Sequence, residues 1–586
     1  MRLKSLLLLV FLLFAIPVMA QLTIGGTPVV YDKLTKTYML TVPEDVFGSA
    51  YLAPVVIDNN VTDVKIDGKA VTTIANFPVV NGDICYTFTF KKNGAYNSSS
   101  IHFTYLPIMS ITGTFSNDYV EAPVQFIFPG EKEVLYYKAR IKQAGASTNL
   151  VWVHKHNYHV KFVDDNGEKM DVSFFGLRND NHWRLDAGTR DMIRFRNYAA
   201  NGLWADFGTK SYYADKQPNA RSYIRGSHVE VFLNGNYNGL YNFTEFLDRK
   251  QLKLKKYAER EVQDTDGGLQ TEVQMHGMMW KANASTSQTL FNLYDDACDN
   301  TSDEWDGFEL EYPDIEDVCP TDYSVIQNAV KFVARSTNST FENEVNDYFD
   351  VPVIVDYYLF IQVVFGIDNA GNNMVFACYD SELDKKLTLA VWDLDATVGQ
   401  NFLDIDGYYH ADVIQPENEL EDVPTTMCQL VSNNLFNRLK SMPGFLDSVR
   451  KRYWQLRPTI LHPDNLVVRY AAIYNRLDAC GAMDREAVRW SDTGDISHRM
   501  LEFPEEFEYL CDWLKRRIAY LDTHTFACQP GDLNGDGLLN VADVTLLINY
   551  VLGTEDVLND QITDLNEDGA INVADVTLLI NMILSM

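Results

Sequence analysis

Short strand patterns separated by turn signals cover the chain from residue 21 to about residue 108. Examples are residues 37–42, residues 61–66 before the turn sequence Asp67-Gly68, and residues 86–90, where apolar and polar residues alternate. Strict alternation places apolar side chains on one face of a strand, and two such faces can close over one core. We therefore predict a small β-sandwich over residues 21–108, acting as a spacer or packing module without chemistry of its own.

Strand and helix patterns are mixed between about residue 110 and residue 527. Strand patterns cover residues 138–141, 158–163, 373–379 and 387–392, and helix patterns cover residues 189–205, 351–365 and most of the chain after residue 433. The clearest hairpin joins residues 228–233 to 240–245 through a turn rich in Gly and Asn. This mixture predicts one α+β domain over residues 110–527.

The first twenty residues have the pattern of an export signal. Arg2 and Lys4 precede an apolar run from Leu6, and Val18-Met19-Ala20 is a small-residue cleavage sequence. The apolar run is short for a bilayer span, and no later segment has a transmembrane composition. We predict a cleaved signal peptide over residues 1–20 and a protein that is secreted or held at the cell surface by a partner, without a membrane span.

Charge and cysteine content limit the partners further. The chain has 81 Asp and Glu against 49 Lys and Arg, a formal net charge of -32. This balance argues against nucleic acid or an anionic membrane as a partner held by a general basic field. The eight cysteines are scattered without C-x-x-C pairs, which makes a zinc site improbable and leaves disulfide pairing open.

The tail of the chain contains a duplication. Residues 540–549 recur unchanged at residues 572–581, and an acidic loop precedes each copy. Oxygen-bearing residues alternate along each loop, with Gly at the sixth position, as a Ca²⁺ loop requires. The predicted ligands are Asp532, Asn534, Asp536, the Leu538 carbonyl, Asn540 and Asp543 in loop one, and Asp564, Asn566, Asp568, the Ala570 carbonyl, Asn572 and Asp575 in loop two.

These two loops resemble those of dockerin domains. Position twelve is Asp in both, where an ordinary EF-hand has Glu, and each loop is followed but not preceded by a helix. The resemblance covers residues 529–586 and implies an all-α domain with two Ca²⁺ that binds a cohesin-type receptor on a scaffoldin. Dockerins contact partners through loop positions ten and eleven, which are Val541-Ala542 and Val573-Ala574, so two equivalent orientations are implied. A self-contained stabilising module is the alternative.

Two acidic motifs in the central region suggest phosphoryl transfer. In Asp368-Asn-Ala-Gly-Asn-Asn373 the last Asn lies five residues after Asp, between an apolar helix and a strand, and Asp393 and Asp395 end a later strand. Kinases use such an Asp to orient the acceptor hydroxyl, and an Asn and a further Asp to hold Mg²⁺ on the phosphates. Each motif alone is also compatible with a turn or a helix cap.

Four motifs taken in chain order resemble the spore coat protein H (CotH) family of atypical kinases. They are Lys155-His-Asn-Tyr158, the hairpin at residues 234–245, Asp368 with Asn373, and residues 392–399. The resemblance covers roughly residues 130–520 and implies a two-lobed kinase-like fold that uses ATP and Mg²⁺. The implied roles are catalysis for Asp368, Mg²⁺ binding for Asn373, Asp393 and Asp395, phosphate binding for Lys155, and a hinge beside the base for Glu245 and Asp248.

The predicted function is a secreted CotH-type kinase-like protein that phosphorylates a protein or glycan acceptor and is tethered through its calcium-dependent dockerin. The alternative is a catalytically silent binding or structural component of a cellulosome-like, polysaccharide-degrading assembly. A glycoside hydrolase is suggested only because dockerins are commonly attached to such enzymes. No local motif supplies an acid/base pair. For Lys155, a solvated lysine at the end of a strand is the alternative, and the sequence identifies no Glu partner for it.

Overall fold

A computed structural model describes most of the chain. The described residues are 22–145, 148–149, 153–263, 269–284, 290–366, 368–400, 433–491, 501–527, 530–534, 538–554, 560–566 and 568–585. The predicted signal peptide and the predicted calcium ligand Asp536 lie outside these residues.

The chain forms two compact units, and each unit combines segments that are distant in sequence. The first unit contains the residues up to Phe195 with Arg225–Phe246 and Ala471–Phe507, and the second contains Arg196–Ile224, Leu247–Tyr470 and the chain from Glu508. The predicted domain limits at residues 108–110 and 527–529 do not coincide with the limits of these units. They stay predictions about the organisation of the chain.

The N-terminal part of the first unit is rich in strands. Its strands are β1 (Leu22–Ile24), β2 (Thr27–Pro28), β3 (Val30–Asp32), β4 (Thr37–Thr41), β5 (Tyr51–Ile57), β6 (Val61–Ile66), β7 (Lys69–Ala70), β8 (Ile74–Phe77), β9 (Tyr86–Lys92) and β10 (Ala95–Thr104). They form two sheets, in the orders β2-β1-β5-β8 and β3-β4-β10-β9-β6-β7. In β9, Tyr86, Phe88 and Phe90 are buried in the core that both sheets share, as the alternation predicts.

A closed barrel of seven strands follows in the same unit. Its strands are β11 (Ile108–Ile111), β12 (Val120–Ile127), β13 (Leu135–Ala144), β14 (Asn157–Val163), β15 (His182–Asp186), β16 (Gly226–Leu233) and β17 (Asn236–Thr244). A parallel pair between β11 and β16 closes it. The predicted hairpin is β16–β17, and its two turn residues, Asn234 and Gly235, have φ of 55° and 79°. Positive φ at both positions matches the right-handed twist of the paired strands.

A sheet of five strands is the centre of the second unit. The strands of this unit are β18 (Ala258–Gln263), β19 (Leu269–Gln274), β20 (Met278–Asn283), β21 (Glu304–Trp305), β22 (Phe308–Tyr312), β23 (Asn372–Cys378) and β24 (Thr388–Val391). The sheet order is β21-β22-β20-β23-β24, while β18 and β19 form a separate hairpin. The predicted strands at residues 373–379 and 387–392 are therefore the antiparallel neighbours β23 and β24.

Helices occupy most of the remaining chain. They are α1 (Arg196–Phe207), α2 (Arg249–Leu252), α3 (Ser324–Arg335), α4 (Asn338–Tyr348), α5 (Val351–Val364), α6 (Asn434–Lys440), α7 (Phe445–Leu456), α8 (Pro463–Ala479), α9 (Ala482–Trp490), α10 (Phe503–Tyr520), α11 (Val541–Val551), α12 (Asp560–Thr563) and α13 (Val573–Leu584). None of the described helices combines the length and apolar composition needed to cross a bilayer.

The prediction of a helix from residue 189 is wrong at its start. Helix α1 begins only at Arg196, and the preceding residues form turns in which the backbone N–H of Ile193 donates to Asp191. Arg194 has a φ of 70°, which lies outside the right-handed helical region. The apolar pattern across these residues reflects burial in turns instead of helical periodicity.

The C-terminal region is helical, as predicted. Helices α11 and α13 each follow an acidic loop and begin with a capping box, formed by Asn540 with Asp543 and by Asn572 with Asp575. A small apolar core lies between the two copies and contains the buried residues Leu533, Leu547, Ile562, Val576 and Leu579.

Candidate functional site

A buried lysine lies at the centre of the first unit. Lys155 precedes β14 and is 0% exposed, so the alternative of a solvated strand-end lysine is wrong. Its Nζ atom lies 2.7 Å from Oε1 of Glu486, which is also 0% exposed and belongs to α9. Nζ also donates to the backbone carbonyls of Ala187 at 2.8 Å and Leu240 at 2.6 Å. All three ammonium hydrogens therefore have an acceptor, as burial of a charge requires.

Glu486 is satisfied on both of its oxygens. Arg194 donates from Nε to Oε1 at 2.8 Å, and the backbone N–H of Leu240 donates to Oε2 at 2.8 Å. Gly239, in the hairpin motif, has a φ of 104°, and a Cβ there would collide with the Glu486 carboxylate and approach Trp490 Nε1 to 2.7 Å. The hairpin glycine thus provides the room in which the Glu486 carboxylate lies.

Charges of both signs surround Lys155. Arg194 is a second positive charge, and the carboxylates of Glu486 and Asp186 are the negative charges that act on Lys155. The pKa of Lys155 is lowered to about 8: burial lowers it most, the Glu486 carboxylate opposes that shift, Arg194 adds to it, and Asp186 also opposes it. A phosphate oxygen could reach Lys155 only by replacing one of its two backbone carbonyl acceptors.

A second cluster lies in the second unit and contains the predicted catalytic aspartate. The amide nitrogens of Asn372 and Asn373 donate to the two carboxylate oxygens of Asp368, at 3.1 and 2.7 Å. The pKa of Asp368 is raised to about 6: burial raises it most, the nearby charge of Asp393 also raises it, and the two amide hydrogen bonds lower it. The Asp368–Asn373 pair predicted from the motif is therefore a direct contact, with Asp393 close enough to affect it.

Local structure explains how this cluster is assembled. Helix α5 ends at Val364, and its C-cap residue Phe365 has a left-handed φ of 53°. Met374 pairs with Val391 across β23 and β24, so the start of β23 and the end of β24 lie side by side. The side chain of Asn369 donates to the Trp392 carbonyl at 2.8 Å and links the two segments.

Backbone conformation at this cluster is unusual. Asn373 and Asp393 have φ of 54° and 52°, in the left-handed region that non-glycine residues seldom occupy. Such conformations concentrate at sites where side-chain direction matters for function. Asp393 and Asp395 are both half-buried and both have polar or charged partners nearby.

Mg²⁺ and nucleotide are implied by the resemblance, and the residues present fit Mg²⁺. Two nearby carboxylates, Asp368 and Asp393, raise each other's cost of ionisation, and a divalent cation would relieve that repulsion. Asn373 uses only its amide N–H on Asp368, so the contact leaves its amide oxygen for another partner. Hard oxygen donors of this kind are the ligands that Mg²⁺ prefers.

The predicted hinge residues have local partners. The Glu245 carboxylate is 0% exposed, pairs with Arg225 at 2.9 Å and accepts the backbone N–H of Arg178 at 2.9 Å. Asp248 caps α2 by accepting the backbone N–H of Gln251 at 2.8 Å. These contacts explain both residues structurally, and their role beside a nucleotide base stays a prediction.

The two acidic loops of the tail repeat the same contacts. Asp543 accepts the backbone N–H groups of Leu533, Asn534 and Asn540, and Asp575 accepts those of the corresponding residues of loop two. Both carboxylates are fully buried. Side-chain amides of Asn540 and Asn572 donate to the carbonyls of Leu538 and Ala570, at 3.2 and 2.9 Å.

The oxygen atoms of these loops are of the kind that binds Ca²⁺, although the side chains form hydrogen bonds within their own loop. In loop two, Asp564 accepts the backbone N–H groups of Asp568 and Gly569, and Asp568 accepts those of Ala570 and the side chain of Asn566. Among the described residues, no three Asp, Glu, His or Cys side chains converge closely enough to form a metal site. All predicted side-chain ligands nevertheless carry the oxygen donors that Ca²⁺ requires.

Comparison with known protein families shows which family this chain belongs to. The family model described as CotH kinase protein matches residues 141–521, and the chain belongs to that family. The model of the dockerin type I domain matches residues 530–584. A search of curated proteins found no match.

Dockerin type I domains share two general properties that bear on this chain. Dockerin type I domains bind calcium and dock onto a cohesin partner. They occur in extracellular or cell-surface assemblies.

Sequence reasoning missed Glu486 and Arg194. Glu486 lies 331 residues after Lys155, and no motif around it distinguishes it from other helical glutamates. One signal was present in the sequence: Glu486 and Trp490 lie four residues apart, on one helical face. That spacing alone does not identify a partner.

A double-mutant cycle tests the buried pair. Glu486→Gln should destabilise the barrel by about 3 kcal/mol, because it leaves the buried Lys155 and Arg194 without their carboxylate partner. Lys155→Met should destabilise it less, because Glu486 still pairs with Arg194. The free energy of unfolding lost by the double variant should be smaller than the sum of the two single losses by at least about 1 kcal/mol. The measurement is urea unfolding of the full chain, followed through hydrogen exchange of the barrel strands.

The exposed pair Glu121–Lys138, with nitrogen and oxygen 2.7 Å apart, provides the control. Glu121→Gln should change the free energy of unfolding much less than either buried substitution, because both side chains of this pair are solvated. The assigned pairing would be contradicted if the losses of stability caused by Lys155→Met and Glu486→Gln were additive. It would also be contradicted if each loss were as small as that caused by Glu121→Gln.

Proposed function

We propose that the chain is a secreted, Mg²⁺-dependent phosphotransferase that modifies a protein or glycan acceptor and is tethered by its dockerin domain. The observation that supports it most is the Asp368–Asn373 contact beside Asp393, in a chain that belongs to the CotH kinase family. The apolar N-terminal run of the sequence supports export.

Asp368 is the proposed base. Its pKa of about 6 leaves it mostly ionised at neutral pH, yet makes it a stronger base than an ordinary aspartate. The amides of Asn372 and Asn373 fix the direction of its carboxylate, so that it would accept the proton of the acceptor hydroxyl. Positioning of this kind is most of what a phosphotransferase must supply.

Asn373, Asp393 and Asp395 would hold Mg²⁺, and Lys155 would bind a phosphate. ATP and Mg²⁺, when bound, would supply the phosphoryl group and neutralise its charge. Glu486 pairs with the Lys155 ammonium and with Arg194 and so keeps Lys155 in place. Family membership is the reason for assigning both clusters to one reaction.

The alternative is a catalytically silent binding component of a polysaccharide-degrading assembly. One observation favours it: Lys155 uses all three ammonium hydrogens on Glu486, Ala187 and Leu240. A lysine that remains in those contacts serves packing instead of phosphate binding.

Nucleotide binding and transfer separate the two functions. ATP with Mg²⁺ at one hundred times its dissociation constant should stabilise the full chain by about 2.7 kcal/mol. Asp393→Asn should lose the Mg²⁺-dependent part of this stabilisation. Asp368→Asn should keep the stabilisation but transfer labelled phosphate about 100-fold more slowly. Transfer should rise as the pH increases through about 6, because only the ionised form of Asp368 accepts a proton.

Asp447→Asn changes an exposed aspartate, 53% exposed, and is the matched control for both substitutions. It should leave nucleotide binding and transfer unchanged. No nucleotide-dependent stabilisation of the wild-type chain would reject the phosphotransferase and favour the silent component.

For the tail, we propose that both loops bind Ca²⁺ through the twelve predicted positions, including Asp536. The repeated contacts of Asp543 and Asp575 hold the two loops in one conformation. Free of metal, the acidic side chains of this region repel one another, and two Ca²⁺ would neutralise four of those charges.

Calcium stoichiometry tests the loops. Calorimetric titration of the full chain should give two Ca²⁺ per molecule, and chelator should lower the helicity and melting temperature of the tail. Asp564→Ala should abolish one site and leave the other. Retention of both sites in Asp564→Ala, or no calcium binding by the wild type, would reject the ligand assignment.

The exposed apolar residues of the tail support two binding orientations. Val541, Ile548 and Leu552 lie on one face of the α11 copy, and Val573, Ile580 and Leu584 lie on the same face of the α13 copy; all six are exposed. Because the two faces carry the same residue types at the same spacing, either can present the same surface to a cohesin partner.

Charge substitutions test this duplication. Val541→Asp alone or Val573→Asp alone should weaken binding to a cohesin domain by about twofold, since one orientation remains. The double variant should bind about 100-fold more weakly, because either orientation then buries an unpaired charge. If one single substitution abolishes binding, only one orientation is used.

A further inference from the structure

Helix α9, which contains Glu486, contacts the barrel hairpin at its C-terminal end. Arg489 donates from Nε to the Tyr237 carbonyl at 3.0 Å, and the Trp490 indole N–H donates to the Asn238 carbonyl at 3.0 Å. These contacts fix the end of the helix, but they leave its N-terminal turn to be held by other residues.

The N-terminal turn of α9 is held jointly by the barrel and the β-sandwich. Arg485 forms an ion pair with the fully buried Glu230 of β16, its Nε lying 3.2 Å from Oε2, and its second nitrogen bonds Oε1 of the same carboxylate. Arg485 also donates to the carbonyl of Phe103 in β10 at 3.3 Å. The hydroxyl of Thr104, the last residue of β10, donates to Glu230 at 2.9 Å. One arginine next to Glu486 therefore contacts both the sandwich and the barrel.

A second contact leaves no space between the sandwich and α9. The backbone N–H of Gly82 donates to the Ala479 carbonyl at 3.1 Å, just before the helix. A Cβ at Gly82 would come within 2.7 Å of that carbonyl oxygen and would collide with the backbone of Gly481, the N-cap residue of α9. Because all the nearest atoms belong to backbone, the helix would have to move to make room.

The sandwich is itself anchored on the barrel. Asp32 accepts the backbone N–H of Tyr237 at 2.9 Å, and Lys33 donates its own N–H to the Gly235 carbonyl at 2.9 Å. A shared apolar core joins the two parts and contains Val30, Met39, Ile108, Ile127, Phe232 and Tyr237. The sandwich is therefore packed on the barrel through a core, which is compatible with a packing module, one of the two roles predicted from its sequence.

We propose that the N-terminal β-sandwich positions helix α9, and through it Glu486, for its contact with Lys155. Gly82 and Arg485 are the positioning residues: Gly82 permits the close backbone approach, and Arg485 connects β10, Glu230 and the helix. The functional meaning of this arrangement rests on the proposed phosphate-binding role of Lys155. Displacing α9 would remove the partner of Lys155 without changing any residue that contacts a nucleotide.

Gly82→Ala in the full chain tests the proposal, because it adds one methyl group against the N-terminus of α9. The matched control is Gly94→Ala in the β9–β10 turn of the same sandwich, where a Cβ meets nothing within 4 Å. Gly94 has a φ of 81°, so its substitution strains the sandwich without touching α9. The two variants therefore separate displacement of α9 from loss of sandwich stability.

Hydrogen exchange of α9 and acylation of Lys155, both followed by mass spectrometry, are the readouts. Gly82→Ala should speed exchange in α9 and acylation of Lys155 by about tenfold or more, while β9 and β10 keep their protection. Gly94→Ala should loosen β9 and β10 only next to their shared turn, at the end of β10 opposite Phe103 and Thr104. It should leave α9 and Lys155 as in the wild type. Wild-type rates at both α9 and Lys155 in Gly82→Ala would overturn the proposal.

Arg485→Lys provides a second variant should Gly82→Ala not fold. It keeps the charge beside Glu230 but loses the two-point contact and the bond to Phe103, so it should also accelerate both readouts. The nucleotide-dependent thermal shift is measured in parallel. If the wild-type chain binds no nucleotide, the phosphotransferase proposal fails, whereas the exchange and acylation rates still decide whether the sandwich positions α9.

Discussion

Burial of the Lys155 ammonium is the constraint on which much of the first unit depends. A charged group without access to water must be paired and fully hydrogen-bonded, or it becomes neutral. Glu486 supplies the opposite charge, and the carbonyls of Ala187 and Leu240 accept the remaining hydrogens. Satisfying one side chain thus joins the turn after β15, strand β17 and helix α9 into one arrangement.

This constraint also accounts for features that have no obvious function alone. Gly239 lacks a side chain because the Glu486 carboxylate occupies that space. Arg194 adopts a left-handed backbone conformation in the turns before α1 and donates to the same carboxylate. Arg485 and Gly82 extend the arrangement to the β-sandwich, so that the N-terminal sheets contact the helix that contains Glu486.

Local patterns predict much of the fold and part of the site. The strands of the sandwich, the β16–β17 hairpin and helix α5 follow from alternation, turn residues and apolar periodicity. The contact between Asp368 and Asn373 follows from a short motif, because five residues between a helix end and a strand leave little freedom. Closure of the barrel by β11 and β16, and the partnership of Lys155 with Glu486, join residues far apart in sequence. No local periodicity encodes such pairs, since they result from packing of the whole unit.

In the proposed function, Lys155 binds phosphate while Glu486 remains its partner. The decisive measurement is a crystal structure of the full chain with a non-hydrolysable ATP analogue and Mn²⁺ in place of Mg²⁺. We expect anomalous signal from Mn²⁺ at Asp393 and Asn373, and a phosphate oxygen within hydrogen-bond distance of Lys155 Nζ in place of one backbone carbonyl. Nucleotide bound while Lys155 keeps both carbonyls and Asp393 has no metal would contradict it.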